Sequence, residues 1–185
     1  VSDRLTRSTL ISAREGGNAP LREILIVVGF INHPRLMREA FDYLADAELT
    51  SADLERLRSA VIDVQADERE HTREDLLLEL DRRGLLPLFE GFERKLRVVR
   101  LWSVLPDAAL EDAREAVRQA LHLQHRYRSL HRELRAAEAA LGAGEADEIA
   151  YAQVVEIRRE IDNLAGTEAL IDGFGVLSGR PAKGF

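Results

Sequence analysis

The sequence predicts an all-α protein, a helical bundle with a long helix leading into a C-terminal helical hairpin. Three observations predict it. No segment alternates apolar and polar residues with the two-residue period of a half-buried strand. Apolar residues instead recur three or four positions apart along most of the chain. Finally, no proline or glycine interrupts the stretch from Asp107 to Gly142, so one helix of up to about 35 residues, about 52 Å at roughly 1.5 Å per residue, outreaches a small domain.

The elements follow in order. Residues 1–19 are weakly patterned: Leu5, Leu10 and Ile11 suit a short helix from Ser2, but Gly16-Gly17-Asn18 ends any periodicity, so this stretch reads as a linker or weak helix. Pro20 suits a first helical turn, and Leu21, Ile24, Leu25, Val27, Val28 and Ile31 are apolar almost all round, as in a central core helix. Asn32-His33-Pro34 breaks that helix, because the residue before a proline is pushed out of the helical region. Pro34 opens the next helix, with Leu36, Met37, Ala40, Phe41 and Leu44 on one stripe. A third helix starts after Thr50-Ser51, with Asp53 three positions on from Thr50, and carries Leu54, Leu57, Val61, Ile62 and Val64.

Thr72 and Asp75 form a capping-box pattern ahead of Leu76, Leu77 and Leu80, and Gly84 supplies a left-handed stop. Leu85 to Leu105 reads as one further helix bearing Leu88, Phe89, Phe92, Leu96, Val99 and Trp102, halted by Pro106. Asp107 is a good N-cap for the long helix. In the second half of that helix Tyr127, Leu130, Leu134, Ala137 and Leu141 make a narrow 3-4-3-4 seam. After a Gly142-Ala143-Gly144 turn, Ile149 to Leu164 answers with Ala150, Val154, Ile157, Ile161 and Leu164. The expected organisation is a linker or weak helix over 1–19, a bundle over 20–125, a hairpin over 126–165 and a C-terminal tail over 166–185, of which about the last ten residues are expected to be mobile.

Composition limits the chemistry. With 185 residues, 45% hydrophobic and 32% charged, the chain can build one main core. It holds no cysteine, which removes disulfides, a thiolate nucleophile and cysteine-based zinc sites, and fits a reducing cytoplasm. The longest apolar run, Ile24 to Ile31, falls far short of the roughly 20 residues that span a bilayer, and no signal-peptide pattern opens the chain. Net charge is −7, spread over both the expected bundle and hairpin, which argues against broad phosphate-backbone binding and so against direct contact with nucleic acid.

Four constellations bear weighing. His122, His125 and His131 share one helix, but His131 is rotated about 120° from His125 at 100° per residue, and no second ligand set accompanies them. Glu68-x-x-His71 is half of a di-iron bundle motif without its second copy. No phosphate-cradling glycine loop, dinucleotide turn or Ser-His-Asp arrangement can be assembled, and Gly173-Phe174-Gly175 lacks a following helix. No catalytic, cofactor or metal residue is therefore expected. The densest basic stretch, Arg94, Lys95, Arg97 and Arg100, reads either as a solvated face or, with Phe92 and Trp102 nearby, as a pocket for an acidic peptide.

The stretch from Leu21 to Pro34, LREILIVVGFINHP, resembles the first helix and the proline corner that open the helicase-binding domain of bacterial DNA primases. Trp102 ahead of an alanine-rich long helix, the Leu130-His-Arg-Glu-Leu134 run, the hairpin, and the stretch Gly166 to Gly175, GTEALIDGFG, resemble the same domain, over roughly 20–180. The resemblance implies a non-catalytic, cytoplasmic domain whose hairpin binds the N-terminal domains of the hexameric replicative helicase and so couples RNA primer synthesis to the fork. With the hairpin as the docking element, its apolar positions Tyr127, Leu130, Leu134, Leu141, Ile149, Val154, Ile157, Ile161 and Leu164 are the expected contacts. It also implies that the zinc-binding and magnesium-dependent polymerase modules lie upstream, and that in some family members the bundle receives the acidic tail of single-stranded DNA-binding protein. Two other readings stay open: the N-terminal domain of a replicative helicase, similar in fold and self-associating, and a helical-bundle metal- or ligand-binding protein.

Overall fold

A run of aliphatic residues with no polar face can be satisfied only by neighbours on every side. The helix α1, Leu21–Asn32, has this character, and all its residues from Arg22 to Asn32 are buried. In the computed structural model, which describes residues 19–65, 70–142 and 148–170, every other bundle helix packs against α1. They are α2 (Met37–Ala45), α3 (Ala52–Gln65), α4 (Arg73–Arg82), α5 (Leu86–Val98) and the first half of α6 (Leu110–Gly142). A last helix, α7 (Glu148–Leu170), pairs with the second half of α6. No strand occurs among the described residues, and none of their helices is long and apolar enough to cross a membrane. Residues 1–18, Glu68, most of the hairpin turn and the tail beyond Leu170 lie outside the described residues.

Close approach of α1 and α6 depends on Gly29, where a Cβ would lie 2.4 Å from Val117 Cγ2 and 3.3 Å from Val104 Cγ1. Both valines are fully packed, so neither can yield cheaply. The proline corner forms as expected: His33 leaves the helical region (φ −128°, ψ 71°), Pro34–Leu36 makes one 3-10 turn, and α2 follows with an internal break at Ala40 (φ −143°, ψ 25°).

Asn32 ties this corner to the rest of the bundle. Its amide donates to Glu93 (3.1 Å) and to the Val104 carbonyl (3.0 Å), while its oxygen accepts from Arg73 (2.8 Å). His33 donates through Nε2 to the Leu105 carbonyl at 3.0 Å, and burial pushes its pKa below the usual histidine value.

Helix ends show where sequence reading succeeds and where it needs correcting. The Thr72–Asp75 capping box is present, with both reciprocal bonds formed (3.2 and 2.8 Å). Gly84 sits at φ 67° as the left-handed C-terminal residue, and Leu85 closes the turn on Leu80 at 2.8 Å. The α3 cap, in contrast, is Ser51, whose hydroxyl receives the Leu54 amide at 3.4 Å, whereas Thr50 turns to Glu23.

The helix expected over Leu85 to Leu105 ends at Val98. Arg100 adopts a left-handed φ of 61°, and Leu101 bonds back to Leu96 at 2.9 Å in a Schellman arrangement. The irregular segment that follows buries Leu101, Val104 and Leu105, so its apolar spacing comes from turns. Consequently α6 starts at Leu110, three residues after the expected Asp107 cap. At the other end α7 runs through Gly166 to Leu170, where a stop and a tail were expected. An interior glycine costs a helix only about 1 kcal/mol and does not by itself end it.

Candidate interaction surfaces

The second half of α6 leaves the bundle and packs with α7 along a narrow seam. Leu130 from α6 and Val154 and Ile157 from α7 are buried in it, and Leu134, Ala137, Leu141, Ile161 and Leu164 are half-buried along the same line. This is the spacing of a two-stranded coiled-coil seam. Arg126 with Glu160, and Arg158 with Glu138 at 2.6 Å, bridge the two helices outside it. The seam residues expected to meet a partner thus spend their apolar surface on each other, because a two-helix element has no other core. Ile149 lies in α7, but its side chain is outside the described set. Facing solvent one helical turn apart on α7 are Tyr151 and Val155, at 66% and 47% exposure. The 3.5-residue seam hides this pair from sequence reading; the signal would have been apolar residues lying off the seam.

Tyr127 plays a different part. The Arg22 guanidinium of α1 lies 3.9 Å above its ring, and the His131 ring lies 4.1 Å away on the other side of the turn. Tyr127 therefore sits where the long helix leaves the bundle, tying it to α1 by a cation–π contact.

Beneath it lies a buried polar cluster that sequence reading missed. Glu23 is fully buried and accepts from the Thr50 amide (2.9 Å), the Thr50 hydroxyl (2.6 Å), the Ser51 amide (3.1 Å) and Gln124 Nε2 (3.3 Å). Its carboxylate thus lies at the N-terminus of α3, where backbone amides and the helix dipole favour an anion. Gln124 also accepts from Arg22 Nε at 2.6 Å. The arrangement joins α1, α3 and α6. Charged residues at the start of an otherwise apolar helix were its signal in the sequence.

The basic stretch does not converge. Lys95 Nζ donates to the Ala19 carbonyl at 3.1 Å, and partial burial lowers its pKa. Arg97 pairs with Glu93 at 3.5 Å, Arg94 and Arg100 are exposed, and Arg100 lies beyond the helix end. Phe92 is in the core and cannot stack a ligand, while Trp102 packs half-buried against that core. Two of the four cations are thus engaged by groups of this chain, and the other two face solvent.

Of the histidines, His122 and His125 are exposed, and His131 donates through Nδ1 to the Tyr127 carbonyl at 3.0 Å. Among the described residues no cluster of three histidine, aspartate or glutamate side chains is placed to hold a metal ion. Compared with protein-family models, curated proteins and solved structures, the chain matches none.

Proposed function

We propose that this chain is the non-catalytic helicase-docking domain of a bacterial DNA primase, and that the α6–α7 hairpin is the docking element. The observation that carries the reading is the long α6: half of it is clamped to the bundle core, and half runs on with α7 as its main companion. Ordering such an element costs conformational entropy that a single narrow seam offsets poorly, so its outer face is suited to a protein partner. Tyr151 gives that face an exposed aromatic, the kind of anchor found at interface centres, and Val155 adds exposed apolar area beside it. The Leu21–Pro34 helix and corner, the Trp102 segment and the long alanine-rich helix support the same reading through their resemblance to the primase domain. Contact to the helicase then falls on the outer α7 face, and the seam residues act by holding that face in place. The upstream zinc-binding and polymerase modules would supply primer synthesis.

Co-purification tests the reading. The tagged chain mixed with the hexameric replicative helicase of the same organism should elute as one complex in size exclusion. Separate elution at micromolar concentrations of both would reject it.

A further inference from the structure

α2 and α6 stand apart across an open groove of about 740 Å³, whose apolar floor is formed by Leu36, Ala40, Val117 and Leu121. Burial holds α2 only lightly. Two of its nine residues, Met37 and Leu44, are buried, against eleven of twelve in α1. Ala40 leaves the helical region, so the backbone ladder of an already short helix is interrupted in its middle.

Polar ties grip its two halves differently. At the C-terminal end the Arg58 guanidinium of α3 donates to the carbonyls of Leu44 (3.2 Å), Ala45 (2.6 Å) and Ala47 (2.8 Å). Just beyond, Glu48 accepts from Arg128 (2.8 Å) and Arg132 (3.2 Å) of α6. The first half, residues 37–43, supplies Glu39, Ala40 and Tyr43 to the groove and is tied through exposed ion pairs. Arg38 pairs with Glu70 ahead of α4, and Arg114 of α6 meets Glu39 in a two-pronged pair, Nε to Oε2 at 2.6 Å and Nη2 to Oε1 at 2.8 Å. Unlike pairs within one helix, such as Arg118 with Glu115, the Glu39–Arg114 pair spans 75 residues of chain and so joins two elements across the groove. Its hydrogen bonds hold the Glu39 carboxyl below the usual carboxylate range. Both partners are more than two-fifths exposed, within reach of dissolved ions.

We infer that α2 is a strap beside α6, its first half latched by the Glu39–Arg114 pair and released by ionic strength while the rest of the bundle stays folded. Salt shortens the reach of exposed charges, from a Debye length of about 30 Å at 0.01 M to about 3 Å at 1 M, and does not weaken apolar burial. A geometrically good two-pronged pair is also the kind of surface ion pair that contributes measurably. The all-round burial of α1 therefore keeps the core closed as the strap lets go. Release widens access to the groove floor, so an ion or charged group that competes for Glu39 or Arg114 governs that access.

Amide hydrogen exchange of the full chain, followed by mass spectrometry at about 0.01 M and about 1 M sodium chloride, tests it. Exchange over residues 37–43 should run at least threefold faster at the higher salt, with α1 unchanged. At low salt Arg114→Gln should speed the same amides at least threefold, and the salt effect should shrink. Glu39→Gln should do likewise, and the double variant should exchange no faster than either single one, because both remove the same contact. That comparison separates the latch from the loss of a helix-end charge, which Glu39→Gln brings whatever its partner. Salt-indifferent exchange over 37–43, acceleration shared by α1, single variants that exchange like the wild type, or additive effects in the double variant would each overturn it.

Discussion

Glu23 is the residue on which most of the bundle's polar order converges. Removing it strands the α3 amides, the Thr50 hydroxyl and Gln124 in a buried site, so Glu23→Ala should cost about 3 kcal/mol or more in chemical denaturation. Arg100 offers the opposite sign. It occupies a left-handed position that favours glycine, so Arg100→Gly should stabilise the chain by about 1 kcal/mol, read as a rise in denaturation midpoint. His33 links stability to pH. Because burial lowers its folded pKa below 6.5, the unfolded chain binds the extra proton first. Its contribution to stability is complete above pH 6.5 and declines as pH falls from there toward the folded value. The melting temperature of the wild type should therefore drop more steeply between pH 6.5 and 5 than that of His33→Gln. At this scale the sequence was legible where one residue fixes a local shape, as at Pro34, Thr72–Asp75 and Gly84. It was opaque where partners lie far apart in the chain, as for Glu23 with Thr50 and Gln124, or Asn32 with Arg73, Glu93 and Val104.

Among the elements, helix identity was legible and helix ends were less so. Apolar spacing located all seven described helices, because burial of one face is a property of sequence period. It overran at Leu101–Leu105, where turns bury apolar residues at spacings that mimic a helix, and stopped short at Gly166. The seam of α6 and α7 was legible, but a seam residue and a docking residue look alike in sequence. Variants separate them. Ile157→Ala, in the seam, should destabilise the hairpin, with faster amide hydrogen exchange in α7. Val155→Ala, on the outer face, should leave exchange unchanged.

Across the whole molecule, α6 serves as a common beam: α1 holds one side of its first half and α7 one side of its second. Such an arrangement joins the outer α7 face to the bundle through one helix while leaving the buried clusters to hold the fold. The chain's central role, on this account, is to present the outer α7 face to the replicative helicase. Isothermal titration calorimetry of the helicase hexamer with the full chain and with Tyr151→Glu/Val155→Glu tests that most directly. The account predicts measurable binding by the wild type and its loss in the double variant, with the thermal melt unchanged. Wild-type affinity retained by the double variant, or no heat of binding from either chain, would contradict it.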